Sequence, residues 1–468
     1  MAKVISKKRN YKGLEYFFWI VVAALLICGI IKYQQTRPVN ILLVTVDTLR
    51  ANYLGCYGNQ KIQTPNIDQL ATFGILCNTA VCEMPTTSPS HASILTSLEP
   101  RVHGVLTNSW TIRTTITTIP EILKANGYTT AGFVSAFHLG KTLGFAQGFD
   151  TFDDKFQGLQ RNATQVTDAT LTWLKGNQNK PWFIWLHYFD AHTPYEPPAQ
   201  FANRYPAANN DSKIYASFSQ LSAMEEHKYS PTEKDIDHMK ALYSGEISYI
   251  DAEFGRLMAY LRQQGLLNNT IIVLVADHGE CFDHGIYANH DQSLYDTAIR
   301  VPLLFAGPKS IIPQGKQIKT LVRTIDIVPT ILAITKIKSD TFIQGKNLLP
   351  LMQGINSATS GYAVIERRYY QNQEDCIRRH IPVGERYAVR SDKWKYISSE
   401  FAPPELYDLE KDPDELNNLD KDNPKQKADM QQYLDKWLAD NNKLRTWAYQ
   451  KIDAETAEQL RSLGYIGN

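Results

Sequence analysis

Long apolar runs bounded by charged or turn-forming residues recur along this chain, and between them lie stretches of helical period. Val39 to Asp47 (VNILLVTVD) is apolar at successive positions rather than at every second one, which predicts a strand buried on both faces. The same signature predicts strands at Tyr128–Val134, Trp182–Asp190, Thr270–Asp277 and Arg300–Phe305. The clearest helix is predicted over Pro231–Gln264, with Met239, Leu242, Tyr243, Ile247, Ile250, Phe254, Leu257 and Leu261 as its apolar positions. Ser230-Pro-Thr-Glu233 reads as its capping box with proline at the first helical position, and Gly265 as its stop. Strands alternating with helices predict an α/β fold, a mainly parallel sheet with helices on both faces. Ligands of such sheets gather beyond the carboxyl ends of the strands, and Asp47, Asp190 and Asp277 each end one of these runs.

Near residue 360 the pattern changes. Tyr387–Ile397 (YAVRSDKWKYI) predicts a hairpin around Ser391-Asp392, followed by Glu405–Leu409 and a helix from Pro424 to Asn441. The chain divides on this reading into a catalytic body, 38–360, and a small C-terminal α+β subdomain, 361–468. Residues 200–230 are polar and weakly patterned, a surface excursion.

At the other end, Tyr16–Ile31 (YFFWIVVAALLICGII) carries no charge, and Lys3, Lys7, Lys8, Arg9 and Lys12 precede it. A spanning helix needs about 20 apolar residues, which the run approaches if Lys12 and Lys32 snorkel. We expect a single transmembrane anchor over 16–33. The basic residues of 1–15 would stay cytoplasmic and the catalytic body would lie on the extracytoplasmic side, periplasmic or extracellular. A cleaved signal peptide fits less well, since no A-x-A-like site follows and the run exceeds the usual apolar region of about 7–15 residues.

Composition adds exclusions. A chain of 468 residues with 43% hydrophobic and 21% charged positions is ordinary for a globular protein. A net charge of +1 supplies no field to recruit nucleic acid, so any charge selectivity is local. Cys28 lies in the anchor, and Cys56, Cys77, Cys82, Cys281 and Cys376 show no CxxC spacing. That excludes a zinc ribbon and leaves one or two disulfides open.

Three local patterns carry candidate chemistry. Asp277-His278-Gly279 ends an apolar strand, where a carboxylate and an imidazole can share one metal if the backbone turns at the glycine. Asp47 ends another strand, a position that also suits a helix cap. Thr87-Ser-Pro-Ser-His91 opens a short helix, whose positive end suits both an attacking hydroxyl and a tetrahedral anion. The neighbouring Cys82 and Ser88 are rivals to Thr87, but Cys82 lies upstream of the helix and Ser88 points elsewhere on it.

In order, the chain reads VDTLRANYLGCYG, TPNIDQLA, TSPSHASILTSLEPRVHGV, HYFDAHTPYEPP, VADHGE and AVRSDKWKYI…ELYDLEKDPDELNNL. These six motifs, spread over nearly the whole exported length, resemble the sulfatase family of the alkaline phosphatase superfamily. The resemblance implies a parallel α/β core, a smaller C-terminal sheet, and a metal site that holds the nucleophile. Carried over by position, it implies Asp47, Asp277 and His278 as metal ligands and Thr87 as nucleophile and fourth ligand. It further implies catalytic roles for His192 and His290 and substrate contacts for His91 and His138. Asp190, His192 and His290 could instead hold a second metal.

The departures from that family are informative. Its nucleophile is a Cys or Ser oxidised to formylglycine in a C/S-x-P-x-R motif, whereas here the motif is Thr87-Ser-Pro-Ser-His91. Threonine carries a methyl on Cβ and cannot yield that aldehyde, so no formylglycine forms and Thr87 must act as an alcohol. The second Asp of the usual all-oxygen set is Thr48, the usual Asn is His278, and the lysine expected before His138 is Ala136. Two carboxylates, an imidazole and an alkoxide favour Zn²⁺ or Mn²⁺ over Ca²⁺. The set resembles that of the superfamily's threonine-dependent members, which implies a phospho-threonine intermediate. We therefore expect a hydrolase of phosphate mono- or diesters, with sulfate esters less favoured. The alternative is a phosphoethanolamine- or phosphoglycerol-type transferase acting on envelope lipids or glycans.

Overall fold

The computed structural model describes residues 16–22, 38–355 except 157, 159, 179, 210 and 227, then 361–367, 370, 377, 383–445 and 458. Met1–Val39 and Asn40–Asn468 are two separate compact units. In the first, residues 16–22 are helical and largely exposed, while 23–33 of the expected anchor lie outside the described residues. Among the described residues, no helix is long and apolar enough to cross a membrane.

The second unit is built on an eight-stranded sheet. Its strands are β1 (Asn40–Val46), β2 (Gly74–Cys77), β3 (Thr129–Phe133), β4 (Thr151–Asp153), β5 (Trp182–Tyr188), β6 (Thr270–Ala276), β7 (Leu303–Ala306) and β8 (Lys316–Ile318), in the order β8-β2-β7-β6-β1-β5-β3-β4. Every residue of β1, β5 and β6 is buried. Successive side chains of a strand point to opposite faces, so this continuous burial requires cover on both faces, as the unbroken apolar runs predict. The parallel register sets Val46 opposite both Tyr188 and Ala276, so the residues after β1, β5 and β6 emerge together at one edge of the sheet.

Two expectations need correction. Arg300–Phe305 is not one strand: Pro302, with no N–H to donate, interrupts it. Arg300–Val301 joins a small three-stranded sheet, and β7 runs antiparallel to both β6 and β2. The long helix spans Glu233–Gln263, and its cap is Thr232 rather than Ser230. Asp235, not Glu233, closes the box by accepting the Thr232 N–H at 2.9 Å and its hydroxyl at 2.6 Å. Pro231 therefore lies outside the helix.

A four-stranded antiparallel sheet follows: β9 (Ala363–Glu366), β10 (Arg386–Arg390), β11 (Trp394–Ser399) and β12 (Glu405–Asp408). The hairpin around Ser391-Asp392 and the helix Pro424–Asn442 form where the sequence predicts them. Val364, Val389, Leu406, Met430 and Leu434 make the core between this sheet and that helix. Buried ionic contacts join the sheet to the α/β body. Arg101 donates to Glu366 at 2.7 and 3.1 Å and to the Tyr387 hydroxyl at 2.9 Å, and it lies 4.8 Å from the Trp437 ring.

Removing one partner of such a pair strands a buried charge. Arg101→Met should destabilise the protein by about 3–5 kcal/mol in urea titrations, and Arg101→Met with Glu366→Leu should recover much of that loss.

Candidate active site

Strands β1 and β6 are hydrogen-bonded neighbours, so Asp47 and Asp277, one residue past their ends, share a cavity. Thr48 makes the turn possible. Its backbone sits in the left-handed region (φ 54), where its N–H donates to Asp277 Oδ1 at 3.2 Å and its hydroxyl to the Ala191 carbonyl at 2.7 Å. A β-branched residue there costs roughly 1–3 kcal/mol, strain of the kind stored at functional sites. Gly279 matters for a different reason than the expected turn. A Cβ on it would lie 2.1 Å from the Thr297 carbonyl oxygen, and that close approach sets the path of the chain after His278.

One ligand atom each from Asp47, Asp277 and His278 fall within 4.8 Å of one another, all fully buried. His278 Nε2 is 3.2 Å from Asp277 Oδ2 and 4.0 Å from Asp47 Oδ1. Those two oxygens are buried and accept no hydrogen bond of ordinary geometry. Burial, the Asp277 charge and then Glu280 hold the Asp47 carboxyl well above its usual range. Burial likewise pushes Asp277 up to about 7 and drives His278 well below the ordinary imidazole range. Two unsatisfied carboxylate oxygens facing a neutral imidazole nitrogen fit a divalent cation, which would satisfy all three.

Thr87 stands at the same cavity, its hydroxyl oxygen 3.4 Å from His278 Nε2. It is the first residue of helix Thr87–Thr96, every residue of which is buried. The N-cap position belongs to Thr86, whose hydroxyl donates to Asp291 at 3.0 Å. The capping position therefore falls to Thr86 and not to Thr87. The helix is held by Ser90, which donates to the Asp277 carbonyl at 2.7 Å, and by Ser88, which donates to the His138 carbonyl at 2.8 Å. The Ser88 hydroxyl is thereby engaged away from Thr87, and burial pushes the Cys82 thiol far up, which leaves neither rival suited to attack.

The other expected residues divide. His91 lies beneath the site rather than facing a substrate. Its Nδ1–H donates to the Thr87 carbonyl at 2.9 Å, and its Nε2 accepts from Thr45 Oγ1 at 3.1 Å. Thr45 in turn accepts from the Trp185 indole at 2.9 Å, so the ring ties the helix that begins at Thr87 to the central strands. Asp190 also departs from its expected place. Its Oδ1 accepts the Ala163 N–H at 2.9 Å at the start of helix Ala163–Gly176, and its charged neighbours are Glu246 and Glu253. Among the described residues, Asp190, His192 and His290 do not form a three-ligand group. Those two rings are together, with centroids 5.4 Å apart, and His290 stacks 4.1 Å from His278. His192 lies flat on Phe189, its Nδ1 2.8 Å from the Thr193 carbonyl, and burial and then His290 lower its pKa to about 4. His138 packs edge-on against Phe189, and burial and then His192 lower its pKa well below the usual range. For His290 burial opposes the charge, but Glu280 at 3.2 Å, with Asp291 and Asp277, outweighs burial and raises its pKa.

Three functional residues escape the sequence reading although each lies in or beside a recognised motif. His187, in a strand otherwise apolar, presents Nε2 to Asp47 Oδ2 at 3.3 Å while its Nδ1 accepts the Ser135 N–H at 3.3 Å. A histidine inside a fully buried strand was itself the signal. Glu280, next to the metal-ligand pair, takes the Tyr195 hydroxyl at 3.0 Å and holds His290. Asn108 accepts the Ser88 N–H at 2.8 Å, and its Nδ2 is buried and without a partner. No spacing from Thr87 would have flagged it. Cys56, Cys77, Cys82 and Cys281 form no disulfide, and Cys28 and Cys376 lie outside the described residues.

Buried acids, an imidazole and a hydroxyl meet at the carboxyl edge of the parallel strands, an arrangement with the groups a metal-assisted hydrolysis needs. Comparison with known proteins narrows this. The sulfatase family model matches residues 39–337, and the model of the C-terminal region of N-sulphoglucosamine sulphohydrolase matches residues 283–443. The chain belongs to the sulfatase family and is a hydrolase of that superfamily. It is 27% identical over 446 residues to a sulfatase of Formosa agariphila, covering 83% of this chain and 84% of that one. It is 26% identical to an arylsulfatase of Clostridium perfringens, covering 81% and 90% respectively. Its fold superposes on the phosphonate monoester hydrolase of Agrobacterium radiobacter with a TM-score of 0.71 at 21% identity, covering 90% of this chain and 99% of that one.

Carboxyl groups whose pKa is raised in the folded state stabilise it at low pH, and that contribution is lost as pH climbs through the raised value. Buried histidines with lowered pKa act in the opposite direction, so the prediction is a difference: between about pH 5 and pH 8 the melting temperature of metal-free Asp277→Asn should rise relative to that of the parent protein. Adding Zn²⁺ should raise the melting temperature more at the higher pH, and calorimetry with and without chelator measures both effects.

Proposed function

We propose that the chain is a membrane-anchored hydrolase of phosphate mono- or diesters that uses Thr87 as its nucleophile and one divalent metal ion. The observation that carries this reading is Thr87 itself. An alcohol that cannot become formylglycine stands at the opening of a buried helix, 3.4 Å from a metal-competent imidazole. The fold's likeness to a phosphonate monoester hydrolase agrees with it. Asp47, Asp277, His278 and Thr87 would hold the ion. Two carboxylates, one imidazole and one hydroxyl suit four-coordinate Zn²⁺, or Mn²⁺, better than Ca²⁺, which takes six to eight oxygens. The uncharged run at Tyr16–Ile31 supports the anchor and an extracytoplasmic site.

Bound there, the ion would lower the pKa of the Thr87 hydroxyl and offset charge on the phosphoryl oxygens. Thr87 Oγ1, its proton released to solvent, attacks phosphorus in line as the bond to the leaving oxygen breaks, which gives a phospho-threonine. The Thr87 amide, at the start of helix Thr87–Thr96, and the unpartnered Asn108 Nδ2 are the chain's own donors to the equatorial oxygens. His290, oriented through Nδ1 by Glu280, delivers a proton to the leaving oxygen. Water then attacks the phospho-threonine, giving its proton to the now neutral His290, and phosphate departs as the bond to Thr87 Oγ1 breaks.

Purified full-length protein in detergent should contain about one metal ion per chain. It should turn over aryl phosphate or aryl phosphodiester faster than aryl sulfate, and Thr87→Ala should lower that turnover at least about a thousandfold. Full activity in Thr87→Ala would overturn the nucleophile, and a preference for aryl sulfate by orders of magnitude would overturn the phosphate reading. His290→Ala should slow esters of poor leaving groups far more than nitrophenyl esters, a difference visible in leaving-group plots of kcat/KM.

A further inference from the structure

At the amino edge of the sheet, away from the Thr87 cavity, a cleft of about 440 Å³ opens between helix Pro65–Thr72, the last turns of helix Glu233–Gln263 and the first residues of β6. Leu70, Met258, Leu267 and Ile272 give it an apolar floor. Phe73, also in its wall, keeps 51% of its surface in water. An apolar ring held open beside an apolar floor marks a contact surface more often than a stray exposed side chain. Arg262 and Lys309 line the same cleft, and no acidic side chain does. Among the described residues, neither cation meets a carboxylate within 4.0 Å; the Arg262 guanidinium reaches the Gln69 amide oxygen at 3.4 Å.

Those two features together narrow the occupant. A bare phosphate would leave the apolar floor in water, and a neutral apolar ligand would leave both cations without a counter-charge. An anionic amphiphile satisfies both, with acyl carbon on Phe73 and Leu70 and its phosphate beside Arg262 and Lys309. Position along the chain supplies the source. Thr270, in the lining, pairs with Asn40, the first residue of β1. Only residues 32–39 separate Asn40 from the uncharged run that ends at Ile31. That tether spans at most about 30 Å at ~3.6 Å per residue, short enough to bring this edge to the surface of a bilayer that the run would enter.

The distance to the reacting centre separates this lipid from the substrate. β1 runs from the cleft's edge of the sheet to Asp47, and its seven residues span about 23 Å at ~3.3 Å each. A phospholipid held by Arg262 and Lys309 therefore cannot present its phosphate to Thr87. It would fasten the body to the bilayer and leave the ester site open on the far side of the sheet.

We propose that this cleft binds an anionic phospholipid of the bilayer and fastens the catalytic body to it at the amino edge of its sheet. The bilayer comes from the anchor inferred above; the cleft and its charge do not depend on that reading or on Thr87. Full-length protein carrying Phe73→Trp can be held in neutral detergent micelles doped with brominated phosphatidylglycerol or, separately, brominated phosphatidylcholine, with the parent chain as background for its own tryptophans. Brominated phosphatidylglycerol should quench the added tryptophan, and phosphatidylcholine should do so far less. Arg262→Gln together with Lys309→Gln should raise the lipid concentration for half-quenching about tenfold or more at an unchanged melting temperature, since both side chains are exposed and without an ion pair. Absence of quenching, equal quenching by the two lipids, or indifference to the double substitution would overturn the proposal. Relief of quenching by inorganic phosphate as readily as by unbrominated phosphatidylglycerol would also overturn it, marking a site for a free anion. The micelle supplies the lipid whether or not the chain anchors itself, and turnover is not read, so failure here leaves the anchor and Thr87 untouched.

Discussion

Two carboxylates forced into one buried cavity are the constraint on which the rest of the structure depends. Parallel pairing of β1 with β6 leaves no choice about where the residues after Val46 and Ala276 emerge. Both are aspartate, both are buried, and each keeps one oxygen without a donor. Such an arrangement is unstable alone, because burial and mutual repulsion disfavour the charged forms that the chemistry needs. A cation would resolve it, and the imidazole of His278 and the hydroxyl of Thr87 stand where they would complete its surroundings.

Much of the neighbouring structure can be understood as fixing that cavity. His187 orients Asp47, Thr48 accepts backbone strain to orient Asp277, and His91 ties helix Thr87–Thr96 to β1 and β5. The C-terminal sheet reaches the same region through Lys395. This ammonium is wholly buried, bonds to Asp296 and Glu415 at 2.6 Å each, and donates to the Leu294 carbonyl at 3.2 Å. Arg390 adds a second contact to Asp296 at 3.2 Å. The segment that carries His290 is thereby held by the C-terminal subdomain. A small sheet far along the chain thus bears on the geometry of the proposed proton donor.

The sequence made the sheet legible because its central strands are apolar on both faces, and period alone reveals that. It made Asp47, Asp277 and His278 legible because they end such strands within recognisable motifs. What it hid has physical reasons. Asp190 also ends a strand, but a helix beginning at Ala163 lies within reach of its carboxylate and draws it away from the cavity. His91 shares a helix with Thr87, yet four residues of helical rise turn it beneath the nucleophile rather than beside it. Asn108 approaches Ser88 only through tertiary folding. The antiparallel course of β7 depends on an interruption at Pro302 that an apolar run conceals.

The central claim is that Thr87 becomes covalently modified during turnover. The direct test is to quench the protein in acid during steady-state hydrolysis of an aryl phosphate and map peptides by mass spectrometry. The account predicts a phosphoryl group on the peptide carrying Thr87, located on that residue and absent from Thr87→Ala. Turnover with no adduct at Thr87, or with the adduct on another side chain such as Cys82, would contradict it.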